Sequence, residues 1–199
     1  MFLLRLTSRF RAAWVWILLT AAAGSMGIAE PACARREAGV EFADSVQVEG
    51  VHFRLNGVAV YRKFGVRVLA AGLWLERPNH EAATILHDDQ PRRYVTHFLH
   101  SVGAKRIRKA WAEGLDANSP NAGPEVEHQF QELSSWIHDF KSGEELTVTY
   151  VPGRGSSVEI NSKRVGSISG KPFADAYFAL AIGTKPGLGT KFRKKLLGG

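Results

Sequence analysis

The residues of this 199-residue chain whose types could do chemistry are seven histidines, one cysteine, a Gly-Arg-Gly-Ser segment and a basic aromatic run, Tyr61-Arg62-Lys63-Phe64. A metal site needs ligands that converge. His97 and His100 stand three apart in a stretch read as a strand, so they point to opposite faces. His128 and His138 are ten apart, and no carboxylate-histidine spacing of the zinc-protease kind occurs, so no metal is expected. Gly153-Arg154-Gly155-Ser156 lacks the Lys-Ser or Lys-Thr that closes a phosphate loop and lies between strands, which reads as a hairpin turn. Ser101, Ser134 and Ser156 sit in no nucleophile-elbow context. Cys33 is the only cysteine, which leaves thiol redox chemistry and an internal disulfide without a partner, and no cofactor is expected.

The basic aromatic run is the exception, because it feeds an unusual strand. Val66, Val68, Ala70, Gly72 and Trp74 alternate with Arg67, Leu69, Ala71, Leu73 and Leu75, so beyond Arg67 both faces of the strand are apolar. Such a strand is covered on both sides. One cover is ordinary core and the other is either a helical layer or a ligand cavity, with Tyr61, Arg62 and Lys63 at its polar mouth. A plain central core strand behind a solvated basic turn fits the same residues. Gly72 leaves room for a close neighbour or a bulge.

The elements that position these residues can be read from periodicity. Val46, Val48, Val51 and Phe53 flank Glu49-Gly50 as a hairpin, and Asn56-Gly57 reads as the next turn. A short helix spans Glu81 to His87, a strand Arg92 to His100. Ile107, Ala110, Trp111, Gly114 and Leu115 form the inward stripe of one helix, and Val126, Phe130, Leu133 and Ile137 that of a second, with a break at Pro120 to Pro124. Further strands are read at Leu146 to Val151, Ser157 to Ile160 and Val165 to Ile168, then an apolar helix from Phe173 to Ile182. With no internal repeat or low-complexity linker, one α+β domain is the economical reading.

Residues 1–34 read as a signal peptide: Arg5, Arg9 and Arg11 precede the apolar run Ala12 to Gly24, and Ala32-Cys33-Ala34 offers a cleavage site after Ala34. Gly27-Ile28-Ala29 offers another, after Ala29. The expectation is a protein exported to the periplasm or secreted, with residues 35–199 as its single domain. The net charge is +7. Lys105, Arg106, Arg108 and Lys109 cluster on one helix, and Lys191, Arg193, Lys194 and Lys195 near the C-terminus. These suit a solvated face or weak contact with acidic lipid headgroups, and no nucleic-acid motif accompanies them.

Taken in order, Leu55-Asn56-Gly57, Lys63-Phe64, Ala71-Gly72-Leu73-Trp74-Leu75, Phe98-Leu99, Ala110-Trp111-Ala112-Glu113-Gly114, Tyr150-Val151-Pro152-Gly153 and Ile182-Gly183 resemble bacterial chalcone isomerase-like proteins across Gly39 to Gly199. The resemblance implies an open-faced β-sandwich: an antiparallel sheet with helices layered on one face and a cleft between the layers. In the plant isomerases an arginine ahead of the signature strand stabilises the phenolate and enolate of ring closure. An ungapped register here puts Tyr61 at that position and Arg62 one residue late, on the other face. The in-strand threonine falls at Leu69, the helix positions near Lys105 or Arg106 and Ala112 or Glu113, and the late-helix position near Leu180 or Ala181. Leu69 cannot carry a proton network. The resemblance therefore implies a non-catalytic binder of an apolar small molecule such as a fatty acid. Leu69, Leu73, Trp74, Phe173, Tyr177 and Leu180 would line its site, with Arg62, assisted by Tyr61, on a carboxylate. An intramolecular lyase or isomerase that uses Arg62 on a chalcone-like substrate, and an accessory protein at the membrane surface, are the alternatives.

Overall fold

Alternating apolar residues set the pairing of the chain, and the computed structural model, which describes residues 34–199, shows the result. The expected export segment, with Cys33, lies outside the described residues except for Ala34. Strands β1 (Ala34–Glu37) and β2 (Val40–Ala43) form a separate antiparallel hairpin. Strands β3 (Ser45–Val48), β4 (Val51–Lys63) and β5 (Val66–Leu75) begin a seven-stranded sheet. It continues through β6 (Arg92–Phe98), β7 (Glu145–Val151), β8 (Gly155–Ile160) and β9 (Lys163–Ile168). Every strand of this sheet pairs with its neighbour in chain order, antiparallel throughout.

Helices enter only where the meander is interrupted. α1 (Ala82–His87) precedes β6; α2 (Ala104–Asn118) and α3 (Gly123–Trp136) lie between β6 and β7; α4 (Lys171–Ile182) and α5 (Thr190–Leu196) come after β9. All five contribute to one core with the inward residues of the sheet, among them Leu73, Leu75, Tyr94, Val148 and Ile160. This is the expected α+β architecture, an antiparallel sheet with helices on one face.

The other face is not bare. Phe53, Val58, Ala70, Trp74 and Val95 form a second cluster, and Phe42 of β2 closes it. Phe42 lies 6.0 Å from the Trp74 ring, whose Nε1 donates to the Ala43 carbonyl at 2.8 Å. Gly72 makes this possible, since a Cβ there would overlap the Trp74 indole two residues on.

Asn56-Gly57 is not a turn. It lies within the 13-residue β4, at a register shift between Leu55 and Gly57. The end of α5 sits on it: Asn56 Nδ2 donates to the Leu196 carbonyl at 2.9 Å, while Asn56 Oδ1 accepts the Asn79 backbone N–H at 2.8 Å. A Cβ on Gly57 would collide with the Lys195 and Leu196 carbonyl oxygens. The pair that resembles a hairpin signal is the seat of the C-terminus.

At the same end of the inner layer, Arg92 is fully buried, its guanidinium carbon 5.0 and 5.1 Å from the ring centres of Tyr150 and Phe178. Its guanidinium donates to Asp175 of α4 at 2.7 Å and to the Ile85 carbonyl of α1 at 3.3 Å. Lys171 holds the other Asp175 oxygen at 2.6 Å. This cluster pins α1 and α4 to the start of β6.

Candidate ligand cavity

Toward the opposite end of β6 the two layers part. The inward residues there are Tyr61 of β4, opposite Leu69 of β5, which pairs in turn with Phe98 of β6; two residues back along β6, Thr96 stands opposite Leu146 of β7. α2 spans above them, fixed at both ends rather than pressed onto the sheet. At its start, Asp139 accepts the Ala104 backbone N–H at 2.7 Å, a cap supplied from outside the helix. At its end, Asn118 donates to the Gly114 and Lys185 carbonyls at 3.0 and 2.9 Å. The span between roofs a cavity of about 320 Å³ with Ile107, Ala110 and Trp111 of α2 and Tyr177, Leu180 and Ala181 of α4. That volume is near the lower end of the ~300–1,000 Å³ typical of ligand sites.

The polarity is graded from inside to out. The buried lining of the cavity includes three hydroxyl-bearing residues, Tyr94, Thr96 and Tyr177. The Tyr94 and Tyr177 rings meet edge to face at 6.4 Å, and Trp111 meets Tyr177 at 6.1 Å. Burial drives both phenols well above the ordinary tyrosine range; a hydrogen bond with Thr96 pulls Tyr94 slightly back, and Tyr94 adds to the rise at Tyr177. They are neutral hydrogen-bonding groups at any physiological pH. The lining cations are the half-buried Lys63 and the exposed Arg106, which with the exposed His100 and Ser101 mark the mouth.

Of the residues expected to bind a ligand, Tyr61, Leu69, Tyr177 and Leu180 line this cavity. The other four do not. Arg62 stands outside it: Tyr61 and Lys63 line the cavity, and Arg62 between them faces the other side of β4 by simple alternation, while the bulge of this ladder lies across from it, at Val68 of β5. Trp74 lies on the opposite face of β5 under Phe42. Leu73 and Phe173 face inward but are fully buried in the solid core rather than in the cavity wall. The lining residues that sequence reasoning missed were visible as patterns with another meaning. Tyr94, Thr96 and Phe98 alternate like any core strand, and Ile107, Ala110 and Trp111 read as a packing stripe. Ala110 is in fact exposed and Trp111 half-buried, as a roof over a hollow requires.

By the resemblance, two of the positions where the plant isomerases carry hydrogen-bonding groups fall at Leu69 and at Leu180 or Ala181, and all three of these residues line the cavity with hydrocarbon. Among the described residues no group of three or more His, Cys, Asp or Glu is placed to hold a metal ion.

The family described as chalcone isomerase-like matches residues 34–198. The chain belongs to that family. Among solved structures, this member of it is similar to a fatty-acid binding protein of Arabidopsis thaliana, with a TM-score of 0.65 and 16% sequence identity over 82% of this chain and 95% of that one. At that identity the likeness speaks for the fold. No curated protein sequence matches the chain.

Proposed function

We propose that this chalcone isomerase-like protein is an exported, non-catalytic binder of an apolar small molecule with an acidic end, such as a fatty acid. The observation that carries the reading is the charge distribution of the cavity: hydrocarbon and neutral hydroxyls inside, Lys63 and Arg106 only at the mouth. A chain entering tail first keeps its carboxylate at those cations, where charge-assisted hydrogen bonds are strongest, and spares it the cost of entering an apolar interior. The fatty-acid binding described for the Arabidopsis protein supports the ligand class. The arginine-rich, then apolar, residues 1–34 support export to the periplasm or beyond. Ring closure of a chalcone has less behind it, since Arg62 stands outside the cavity and hydrocarbon side chains, Leu69 and Leu180 or Ala181, fall at two positions of the proton network.

The test is calorimetric titration of delipidated protein with acids of increasing chain length and their matching alcohols. Lys63→Ala combined with Arg106→Ala is expected to weaken the acids by about tenfold, the equivalent of one charge-assisted contact, and to leave the alcohols nearly unchanged. Ile107→Trp, which fills the roof, is expected to abolish binding of both. Equal losses for acid and alcohol in the double variant defeat the head-group assignment. Failure of every acid and alcohol to bind defeats the ligand class.

A further inference from the structure

The tip of the β4–β5 hairpin breaks two local rules of folding at once. Its two-residue turn is Phe64-Gly65, with Phe64 at φ 50° and Gly65 at φ 80°. Positive φ is costly for a bulky aromatic, and the first position of this turn type ordinarily goes to Asn, Asp or Gly. The ring is not repaid by burial, for Phe64 is 95% exposed and Val66 beside it 46%. Directly behind the turn, Arg62 is paired across the ladder with Arg67, a like-charge pair that weakens the sheet. Lys63 adds a third cation, its Nζ 5.7 Å from the centre of the Phe64 ring. Among the described residues none of the three cations forms an ion pair. Local conflicts that no packing explains are the mark of a surface selected for contact.

We infer that this hairpin tip is a docking element for an anionic lipid bilayer: Phe64 and Val66 enter the interface, and Arg62, Lys63 and Arg67 meet lipid phosphates. One aromatic and one valine are too small an anchor for a protein interface, which buries roughly 1,000 Å² or more. They match what a membrane surface takes: an apolar tip set in a ring of cations whose stems snorkel around it. No helix among the described residues is long and apolar enough to cross a membrane, so the contact is one of surface. The tip is also contiguous with the cavity, because Lys63 and Val68 line the mouth on the two strands that carry it. Docking there turns the mouth toward the phase in which an apolar ligand resides.

The contact goes beyond the binding reading and is tested apart from it on the full chain. Phe64→Trp places a reporter at the tip. With vesicles of phosphatidylcholine and brominated phosphatidylglycerol, its added fluorescence, taken as the difference from wild type, is expected to shift to the blue and be quenched by the bromolipid. Because the readout sits at residue 64, attachment through the N-terminal segment does not imitate it. Phe64→Asn suits the turn better than phenylalanine, so it is expected to keep or raise the Tm while weakening binding to anionic vesicles at least fivefold. Arg62→Gln with Arg67→Gln is expected to lose about fivefold per cation at low salt and little at high salt. An indole at position 64 that stays fully open to aqueous iodide in the presence of vesicles overturns the proposal, even if the protein binds fatty acids. An indole there that enters the bilayer upholds it, even if no fatty acid binds.

Discussion

The two faces of the sheet solve the same problem differently. The inner face is roofed by helices, filled solid where Leu73, Leu75 and Phe173 meet and hollow where Tyr61, Leu69 and Thr96 lie beneath α2. The outer face carries no helix among the described residues. A two-stranded flap covers its apolar part through Phe42, and the rest is a polar lattice in which Arg93 donates to Thr149 at 2.6 Å and lies 3.6 Å from Glu159, with His97 3.3 Å from Glu145. Both kinds of residue arise from one strand: β6 sends Tyr94, Thr96 and Phe98 inward and Arg93, Val95 and His97 outward. Whether the sheet borders a hollow thus depends less on strand composition than on whether the layer above is pressed down or held off at its ends.

The sharpest way to break that comparison is at the pinned end of the inner layer. Asp175→Ala leaves the buried Arg92 guanidinium without its carboxylate and is expected to cost about 3–5 kcal/mol, an uncompensated buried charge. For a domain of this size that lowers the Tm by roughly 6–20 °C. Arg92→Met combined with Asp175→Leu is expected to recover most of the loss, which a calorimetric double-mutant cycle measures directly. If the double variant is no more stable than Asp175→Ala, the cluster contributes packing rather than charge pairing.

On the outer face the equivalent stroke is Phe42→Ala. Loss of a fully buried phenylalanine costs about 3 kcal/mol or somewhat more. Here it is expected at the low end, since a flap can settle onto Trp74 more freely than an inner helix can onto the sheet. Fatty-acid affinity, read at the other face, is expected to change less than twofold. A large drop in affinity would show that the two faces are mechanically coupled through β5.

The strands were legible in the sequence because alternation is a property of each strand alone. Glu49-Gly50 likewise announces its hairpin, and the structure places both residues at positive φ there. Asn56-Gly57 misled because the same dipeptide serves another need, close approach of a distant backbone, and only the fold brings the Leu196 carbonyl to it. α5 escaped notice because its buried face amounts to Phe192 and Leu196 within a basic segment. The site was less legible than the fold for a different reason. A hollow and a core present the same residue types; what separates them here is that α2 is held at its ends, by Asp139 and by Asn118 on the Lys185 backbone, neither of them part of an apolar pattern. Arg62 fell outside for a reason that periodicity does register: it stands one residue from Tyr61 and so on the other face of β4.

The smallest effect expected is in pH dependence, where the two sides of β6 should part company. Burial holds the His97 imidazole below its ordinary value of 6.5, against the smaller upward pull of Glu145. The unfolded chain therefore binds the proton first, and stability falls as pH drops below about 6.5, flattening only once the folded imidazole is also protonated. The two buried phenols of the inner face, Tyr94 and Tyr177, contribute nothing in this range, since they are held neutral far above it. Glu144 adds a second, more acidic limb. Its carboxylate accepts the Lys141 backbone N–H at 2.7 Å and the Asn161 amide at 2.9 Å, and it faces His138, which together bring it down to about 2. That contribution is complete above about 4.5 and is lost as pH falls toward 2. Denaturant melts across this range should show two shallow steps, and His97→Gln is expected to remove the upper one alone. A step near 6.5 that survives His97→Gln would assign it to another histidine and leave the outer side of β6 as silent to protons there as the buried phenols of the inner.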